Sequence, residues 1–144
     1  MSGLQTINGG IQTPRGILLR RFEPEDMLPL DRPLWLASAS PRRAELLRKL
    51  GVAFTQQPTS LPEDPLPDER PEQFVLRLAL EKAKAGSLIA PERSMVVGCD
   101  TVVVSGSRIL GKPRDRSEGR EMLLSLAGRS HLVLSGLALL LLPE

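Results

Sequence analysis

A single carboxylate interrupts an apolar stretch in the second half of the chain. Asp100 follows Gly98 and Cys99 and lies between residues 95–97 and 102–104, which are all apolar. The pattern predicts a buried strand, in which a carboxylate is costly unless it is paired, hydrated or bound to a metal. Asp100 is therefore a candidate general base for water or a candidate magnesium ligand. The alternative is a carboxylate that backbone groups satisfy at a strand end.

A second candidate is the sequence Ser-Ala-Ser-Pro-Arg-Arg at residues 38–43, which predicts a junction between a strand and a helix. Ser40 can cap the helix, and Pro41 suits the first helical position. A helix N-terminus offers free N–H groups, and Arg42 and Arg43 can each bind two phosphate oxygens. The motif predicts a phosphate site; the alternative is a capped surface helix with solvated arginines.

Three more charged residues could join such a site. Lys82 continues the apolar face of a predicted helix, so its ammonium group either reaches outward to solvent or points into a site. Lys112 could pair with Asp100, contact phosphate, or be a solvated lysine in a turn. Glu63 and Asp64 lie in a proline-rich loop, where they could supply a second carboxylate to a metal or simply be solvated.

Composition limits the classes of partner. The chain has 144 residues, a net charge of +2 and 3% aromatic residues, with no tyrosine. We therefore expect no nucleic-acid partner, because stacking on single strands needs aromatic residues and duplex binding needs more positive charge. A lone Cys99 and a lone His131 cannot form a disulfide or a zinc cluster. The single cysteine leads us to expect a cytoplasmic protein, and the lack of any run of about 18 apolar residues leads us to expect no membrane partner.

Apolar patterning predicts the elements that must position these residues. Predicted strands cover residues 34–38, 95–104, 108–110 and 131–142, and a further predicted strand begins at residue 52. Predicted helices cover residues 41–50, with Leu46, Leu47 and Leu50 as the apolar face, 71–85, and 118–126, capped by Ser117. A proline-rich loop at 58–71 separates the first two helices. This order predicts an α/β or α+β fold with a mixed sheet flanked by helices.

The first 33 residues have a different pattern. Glycines and prolines interrupt every potential element, and only residues 16–19 indicate a strand. We therefore predict an irregular N-terminal leader over residues 1–33, with at most one strand, and a domain over residues 34–144. Met27 lies just ahead of this domain and is an alternative start of the protein.

Five segments, in this order, resemble the Maf family of nucleoside triphosphate pyrophosphatases. They are LASASPRRAELL at 36–47, RLALEKA at 77–83, GCDTVV at 98–103, ILGKP at 109–113 and LAGRSH at 126–131. The resemblance covers residues 34–138 and implies a fold like that of the Maf and inosine triphosphatase proteins. It also implies hydrolysis of a nucleoside triphosphate between its α- and β-phosphates, with Mg²⁺ or Mn²⁺ as the cofactor.

The unmodified Ser-Pro-Arg-Arg run followed by Asp-Thr resembles the branch of the family that acts on dTTP and UTP. Carried over by position, Asp100 would accept a proton, and Arg42 and Thr101 would determine selectivity. The other residues of the polar pocket would be Ser38 or Ser40, Arg43, Glu63, Lys82 and Lys112. Asp100 and Glu63 are hard oxygen ligands that suit magnesium or manganese.

The chain also departs from the family pattern. Family members continue beyond the strand near residues 134–142, with an Asp-Lys-Ala-Gly stretch and a Tyr-x-x-Gln motif, and Ala127 stands where they usually have serine. We therefore expect a domain that is truncated at its C-terminus, with a homodimer as an expected assembly. The alternative to an enzyme is a non-catalytic nucleotide-binding remnant or a regulatory protein related to septum formation.

Overall fold

The computed structural model describes residues 31–143 and, before them, the backbone of residues 5–7, 10–12 and 18–20. The chain divides into two compact units, Met1–Asp31 and Arg32–Glu144. In the part of the chain that is described, no helix is both long enough and apolar enough to cross a membrane.

The first unit contains a small antiparallel sheet. Its strands are β1 (Gln5–Ile7), β2 (Gly10–Gln12) and β3 (Leu18–Arg20), and β2 pairs with both neighbours. The prediction of at most one strand was therefore wrong, because glycine and proline separate short antiparallel strands as readily as they prevent them. The predicted irregular stretch at 21–30, including Met27, lies outside the described residues.

The second unit alternates strands and helices. Its elements are β4 (Leu34–Ala37), α1 (Pro41–Lys49), β5 (Phe54–Gln56), α2 (Pro71–Ser87), β6 (Met95–Ser105), β7 (Arg108–Leu110), α3 (Arg116–Leu126) and β8 (Leu132–Leu141). Strands β4, β5 and β6 are parallel, whereas β7 and β8 run antiparallel to β6. The predicted mixed sheet with helices is confirmed.

Strand β6 is the centre of this sheet and leaves a gap along one edge. On one side it pairs with β8 from Met95 to Val104. On the other side its first residues pair with β4 as far as Gly98, and its last residues pair with β7 from Val103 onward. Residues 99–102 therefore lie between the end of β4 and the start of the β6–β7 pairing, and this gap includes Asp100.

Helix α2 covers one face of the sheet and builds the core. Its residues Phe74, Val75 and Leu78 pack with Val102 and Val104 of β6 in one buried cluster. In a strand, successive side chains point to opposite faces. Asp100 therefore shares the covered face of β6 with Val102 and Val104.

Two details of the predicted helices are wrong. In α1 only Ala44 is buried, while Leu46 and the C-cap residue Leu50 are 56% and 57% exposed, so the predicted leucine face is not part of the core. Helix α3 begins two residues earlier than predicted, and its cap is Asp115, whose Oδ1 accepts a hydrogen bond from the Glu118 N–H at 2.8 Å. Asp115, and not the predicted Ser117, caps this helix, since aspartate is as good an N-cap residue as serine.

Candidate active site

One cavity of about 930 Å³ collects most of the predicted site residues. Those that line it are Ser38, Ser40, Arg43, Glu63, Lys82, Asp100, Thr101 and Lys112. They come from the β4–α1 junction, the proline-rich loop, α2, β6 and the residues after β7. The cavity therefore lies where the gap in the sheet meets the first two helices and the loop.

The β4–α1 junction forms a tight turn of serine hydroxyls and backbone N–H groups. The Ser38 hydroxyl accepts a hydrogen bond from the Ser40 N–H at 3.2 Å, and the Ser40 hydroxyl accepts one from the Arg43 N–H at 3.5 Å. Ser40 is the N-cap of α1, and Pro41 follows at the first helical position. This end of the cavity therefore presents a helix N-terminus, which favours anions.

Arg43 fills the gap along the edge of β6. Its guanidinium donates hydrogen bonds to the Cys99 carbonyl oxygen at 2.8 Å, to the Ser38 hydroxyl at 3.0 Å and to the Thr101 hydroxyl at 3.4 Å. The Thr101 hydroxyl also lies 2.9 Å from that of Ser135 on β8. Arg43 thus satisfies a carbonyl that no strand pairs and joins α1 to the centre of the sheet.

Arg42 is not brought into the cavity. It is exposed, and it is not among the described residues that line the cavity. Neighbouring residues on a helix point about 100° apart, so Arg42 and Arg43 cannot both face β6. The selectivity role predicted for Arg42 therefore has no support from its position.

The ammonium group of Lys82 bridges two carboxylates. Its Nζ lies 2.7 Å from Asp100 Oδ1 and 2.8 Å from Glu63 Oε1. Lys82 is 7% exposed and Asp100 is 6% exposed, so this ion pair is buried. Lys82 points into the site, and the alternative that it reaches outward to solvent was wrong. The partner of Asp100 is Lys82 and not Lys112, which lies 3.2 Å from Glu63 instead.

Glycines let α2 approach the sheet closely on both sides of this pair. A Cβ added at Gly98 would stand 2.0 Å from the Ala79 carbonyl oxygen, and one at Gly136 would stand 2.2 Å from the Val75 carbonyl oxygen. Gly136 is the residue of β8 that pairs with Asp100. The backbone of α2 therefore rests directly on the sheet, and the Lys82 side chain reaches Asp100 from above.

The bridge changes the acidity of its members. Burial acts against the charge of Lys82, but its hydrogen bonds to Asp100 and Glu63 outweigh burial, so the pKa of Lys82 is raised. Burial raises the pKa of Glu63, but its hydrogen bonds with Lys82 and Lys112 have the larger opposite effect. The pKa of Glu63 is therefore below its usual value. Lys82 and Glu63 therefore both carry their charges at neutral pH.

Sequence reasoning missed two residues that shape the β4–α1 turn. The Gln56 side-chain amide donates to the Ser38 carbonyl oxygen at 2.9 Å, and the Thr59 hydroxyl, which lines the cavity, contacts the Ala37 carbonyl oxygen at 3.5 Å. Gln56 ends β5, which runs parallel to β4. Gln56 could have been found from its position at the carboxyl end of a parallel strand, where ligand-binding sites form in α/β proteins.

Glu63 and Asp100 are the described residues best placed to hold a metal. Among the described residues there is no group of three or more His, Cys, Asp or Glu side chains that could hold an ion. Both carboxylates nevertheless reach a single ammonium nitrogen, so one cation can contact both. Magnesium is commonly held by one or two carboxylates together with substrate phosphates, so this pair fits a metal that arrives with a polyphosphate.

Comparison with known proteins finds several similar sequences. A dTTP/UTP pyrophosphatase from Alkalilimnicola ehrlichii is 53% identical over 119 residues, which cover 78% of this chain and 59% of the relative. One from Syntrophotalea carbinolica is 46% identical over 111 residues, 76% of this chain and 50% of the relative. One from Escherichia coli is 44% identical over 106 residues, 74% of this chain and 54% of the relative.

The chain thus spans between half and three-fifths of the length of the curated relatives that it matches. The family described as Maf-like protein matches residues 33–143, which include every residue that lines the cavity. The resemblance inferred from the five sequence segments is confirmed: the chain belongs to the Maf-like protein family.

Proposed function

We propose that this chain hydrolyses a nucleoside triphosphate to the monophosphate and pyrophosphate, with dTTP and UTP as its substrates. The observation that carries the proposal is the meeting of Lys82, Glu63 and Asp100 with the N-terminus of α1 in one cavity. The dTTP/UTP pyrophosphatases described above, which share 44–53% of their aligned residues with this chain, support the choice of substrates.

The phosphates would bind at the β4–α1 end of the cavity. The N-terminus of α1 supplies partial positive charge. The Arg43 guanidinium lies beside it and is held in place by its hydrogen bond to the Cys99 carbonyl of β6. Lys112, with 86% of its side chain exposed, can bind phosphate oxygens at the open side of the cavity. Lys82 is occupied by two carboxylates, so among the predicted site residues that line the cavity Arg43 and Lys112 are the cations that would contact the substrate first.

Asp100 and Glu63 would hold a divalent metal, Mg²⁺ or Mn²⁺. When bound, the metal would neutralise charge on the phosphates and polarise the anhydride. Because Lys82 Nζ lies between the two carboxylates, its ammonium group must shift for both oxygens to reach one metal ion. Lys82 would then be free to contact a phosphate oxygen from its place on α2.

Asp100 would accept the proton of the attacking water. In this structure Lys82 contacts Oδ1, the oxygen next to the position that the metal would take, so Oδ2 is the oxygen that we assign to the proton. The water oxygen bonds to one phosphorus of the α–β anhydride, the bond from that phosphorus to the bridging oxygen breaks, and the group on the other side leaves with the bridging oxygen and the bond electrons. Buried surroundings strengthen each of these electrostatic contacts relative to water.

Three further assignments belong to this proposal. Thr101 is a selectivity residue, because it lines the cavity and its hydroxyl is held by Arg43 and Ser135. Residues 34–144 form the catalytic domain, and the protein works in the cytoplasm, where its substrates are made. A homodimer stays a prediction.

The test is pyrophosphate release from dTTP and UTP in the presence of Mn²⁺ or Mg²⁺, with dATP and GTP for comparison. We expect Asp100→Asn to lower the rate about 10²- to 10⁴-fold, the usual contribution of a positioned general base. The matched control is Cys99→Ser, the neighbouring residue of β6, whose side chain points to the other face. Equal activity of Asp100→Asn and the unaltered chain would overturn the role of Asp100.

One observation favours a second candidate, nucleotide binding without turnover. The Lys82 ammonium occupies the position between Glu63 and Asp100 that a metal would need. If UTP binds and no pyrophosphate forms at any metal concentration, the chain is a nucleotide-binding protein and the hydrolase proposal is wrong.

A further inference from the structure

Arg77 makes an unusually complete set of contacts outside the cavity. Its guanidinium donates two parallel hydrogen bonds to the Glu69 carboxylate, at 2.7 and 2.8 Å. It also donates to both oxygens of Glu81 at 3.2 Å and to the Asp64 carbonyl oxygen at 3.0 Å. The guanidinium carbon lies 5.5 Å from the centre of the Phe74 ring. One side chain of α2 thus holds two points of the proline-rich loop.

The segment between those two points closes on itself. The Glu69 carboxylate accepts a hydrogen bond from the Leu66 N–H at 3.0 Å, and the Leu66 carbonyl accepts one from the Glu69 N–H at 3.1 Å. A fixed Glu69 therefore fixes Leu66 as well. Because Asp64 is bound through its carbonyl, the residue next to it in the chain, Glu63, is held from one side by the same guanidinium.

The Arg77–Glu69 pair differs from an ordinary surface ion pair. Its side chains are 23% and 8% exposed, whereas those of Lys49 and Glu45 on α1 are 70% and 60% exposed. Hydrogen bonds from Arg77 lower the pKa of Glu69 from 4.5 to about 2. The stabilising effect of this carboxylate is therefore complete above pH 4.5 and is lost as the pH falls towards 2.

Helix α2 also carries Lys82, the partner of Glu63. Arg77 fixes the loop backbone beside Glu63, and Lys82 binds the Glu63 side chain, so both points of attachment belong to one rigid helix. Resting on the function proposed above, we propose that Arg77 is a positioning residue that holds Glu63 in place for metal binding by clamping residues 64–69 to α2. Arg77 itself does not line the cavity.

The test uses Arg77→Lys, which keeps the charge but cannot make the paired hydrogen bonds to Glu69. We expect the Mn²⁺ concentration that gives half-maximal pyrophosphate release from UTP to rise about 10- to 100-fold, as for other residues that orient a metal ligand. Glu63→Gln should raise it as well. Adding Arg77→Lys to Glu63→Gln should then have no further effect, because both changes act through one carboxylate.

A second measurement detects the attachment of residues 64–69 to α2 independently of catalysis. Hydrogen exchange at the Leu66 and Glu69 amides should become several-fold faster in Arg77→Lys, with no change at the amides of β6. Glu69→Gln should give the same two results if Arg77→Lys does not fold. The control is Lys49→Met, which removes an exposed ion pair and should alter neither metal dependence nor exchange at these amides.

The outcomes separate this inference from the proposed function. If the unaltered chain does not hydrolyse UTP but exchange accelerates in Arg77→Lys, the clamp stands and the metal role of Glu63 is wrong. If exchange is unchanged, or if Arg77→Lys and Glu63→Gln have additive effects on metal dependence, the positioning role of Arg77 is overturned.

Discussion

The two faces of strand β6 carry residues of different character. On the face covered by α2, Asp100 is 6% exposed and its neighbours Val102 and Val104 are 5% and 3% exposed. On the opposite face Cys99 is partly exposed and Thr101 is exposed, and the adjoining strand β8 presents Leu137 and Leu139, which are 68% and 54% exposed. The Asp100 carboxylate at the bottom of the cavity thus lies on the buried face of the sheet, and the two leucines lie on the exposed face.

This contrast shows how the chain makes a buried carboxylate tolerable. Asp100 is surrounded by core residues, but Lys82 descends from α2 to pair with it, and glycines at 98 and 136 let the helix come close enough. In the described part of the chain, Leu137 and Leu139 are not covered by a helix in this way. Close packing and charge pairing therefore occur together on one face, and both should be sensitive to substitution there.

The largest expected effect on stability is that of Lys82→Met. The substitution leaves the buried Asp100 carboxylate without its partner, and loss of one member of a buried pair costs about 3–5 kcal/mol. Because the pKa of Lys82 is raised, its charge contributes fully at pH 7 and is lost only at alkaline pH above 10.5. The free energy of unfolding in urea at pH 7 measures the effect.

The matched control for Lys82→Met is again Lys49→Met. Its partner Glu45 is exposed, so the loss should stay within about 1 kcal/mol. Equal effects of the two substitutions would contradict the distinction between the buried pair and the surface pair.

Gly98→Ala should have the next largest effect. Its methyl group would stand 2.0 Å from the Ala79 carbonyl, so α2 or β6 must move. Overpacking of this kind costs about 1–3 kcal/mol. Gly119→Ala in α3 is the control, since its nearest neighbour would be 3.5 Å away and alanine favours a helix. A normal melting temperature for Gly98→Ala would show that the contact between helix and sheet is less close than described.

The smallest effect should be that of Leu139→Thr on the open face of β8. Leu139 is 54% exposed, and threonine suits a strand, so the free energy of unfolding should change by about 0.5 kcal/mol or less. Thermal unfolding monitored by circular dichroism is sufficient. A loss comparable to that of Gly98→Ala would mean that this face is covered in solution.

Much of the second unit could be predicted from the sequence because its signals are local. Pro41 at the first helical position marked the start of α1, and the apolar runs at 95–104 and 108–110 marked β6 and β7. Asp100 was recognisable as a carboxylate inside an apolar strand. Lys82 was recognisable because it continued an apolar helical face. In both cases the unusual residue was a polar one at a buried position.

The rest depended on contacts between distant parts of the chain. Local pattern could not decide between Arg42 and Arg43, because only the edge of β6 selects the one that faces it. The leucines of α1 looked like a core face, yet α1 offers only Ala44 to the core. Arg77 matched an ordinary charged helix position, since its partners Glu69 and Asp64 lie in a loop without periodicity.

The backbone contact of α2 with Gly98 and Gly136 has a consequence for the response to heat. The nearest atoms of α2 at these two points are backbone atoms and the Cβ of Ala83, so this interface cannot relax by a change of rotamer. The backbone of α2 and of β6 around Asp100 then cannot loosen while the sheet stays intact. Warming should leave their geometry unchanged up to the temperature at which helix and sheet separate together, without an earlier, gradual stage.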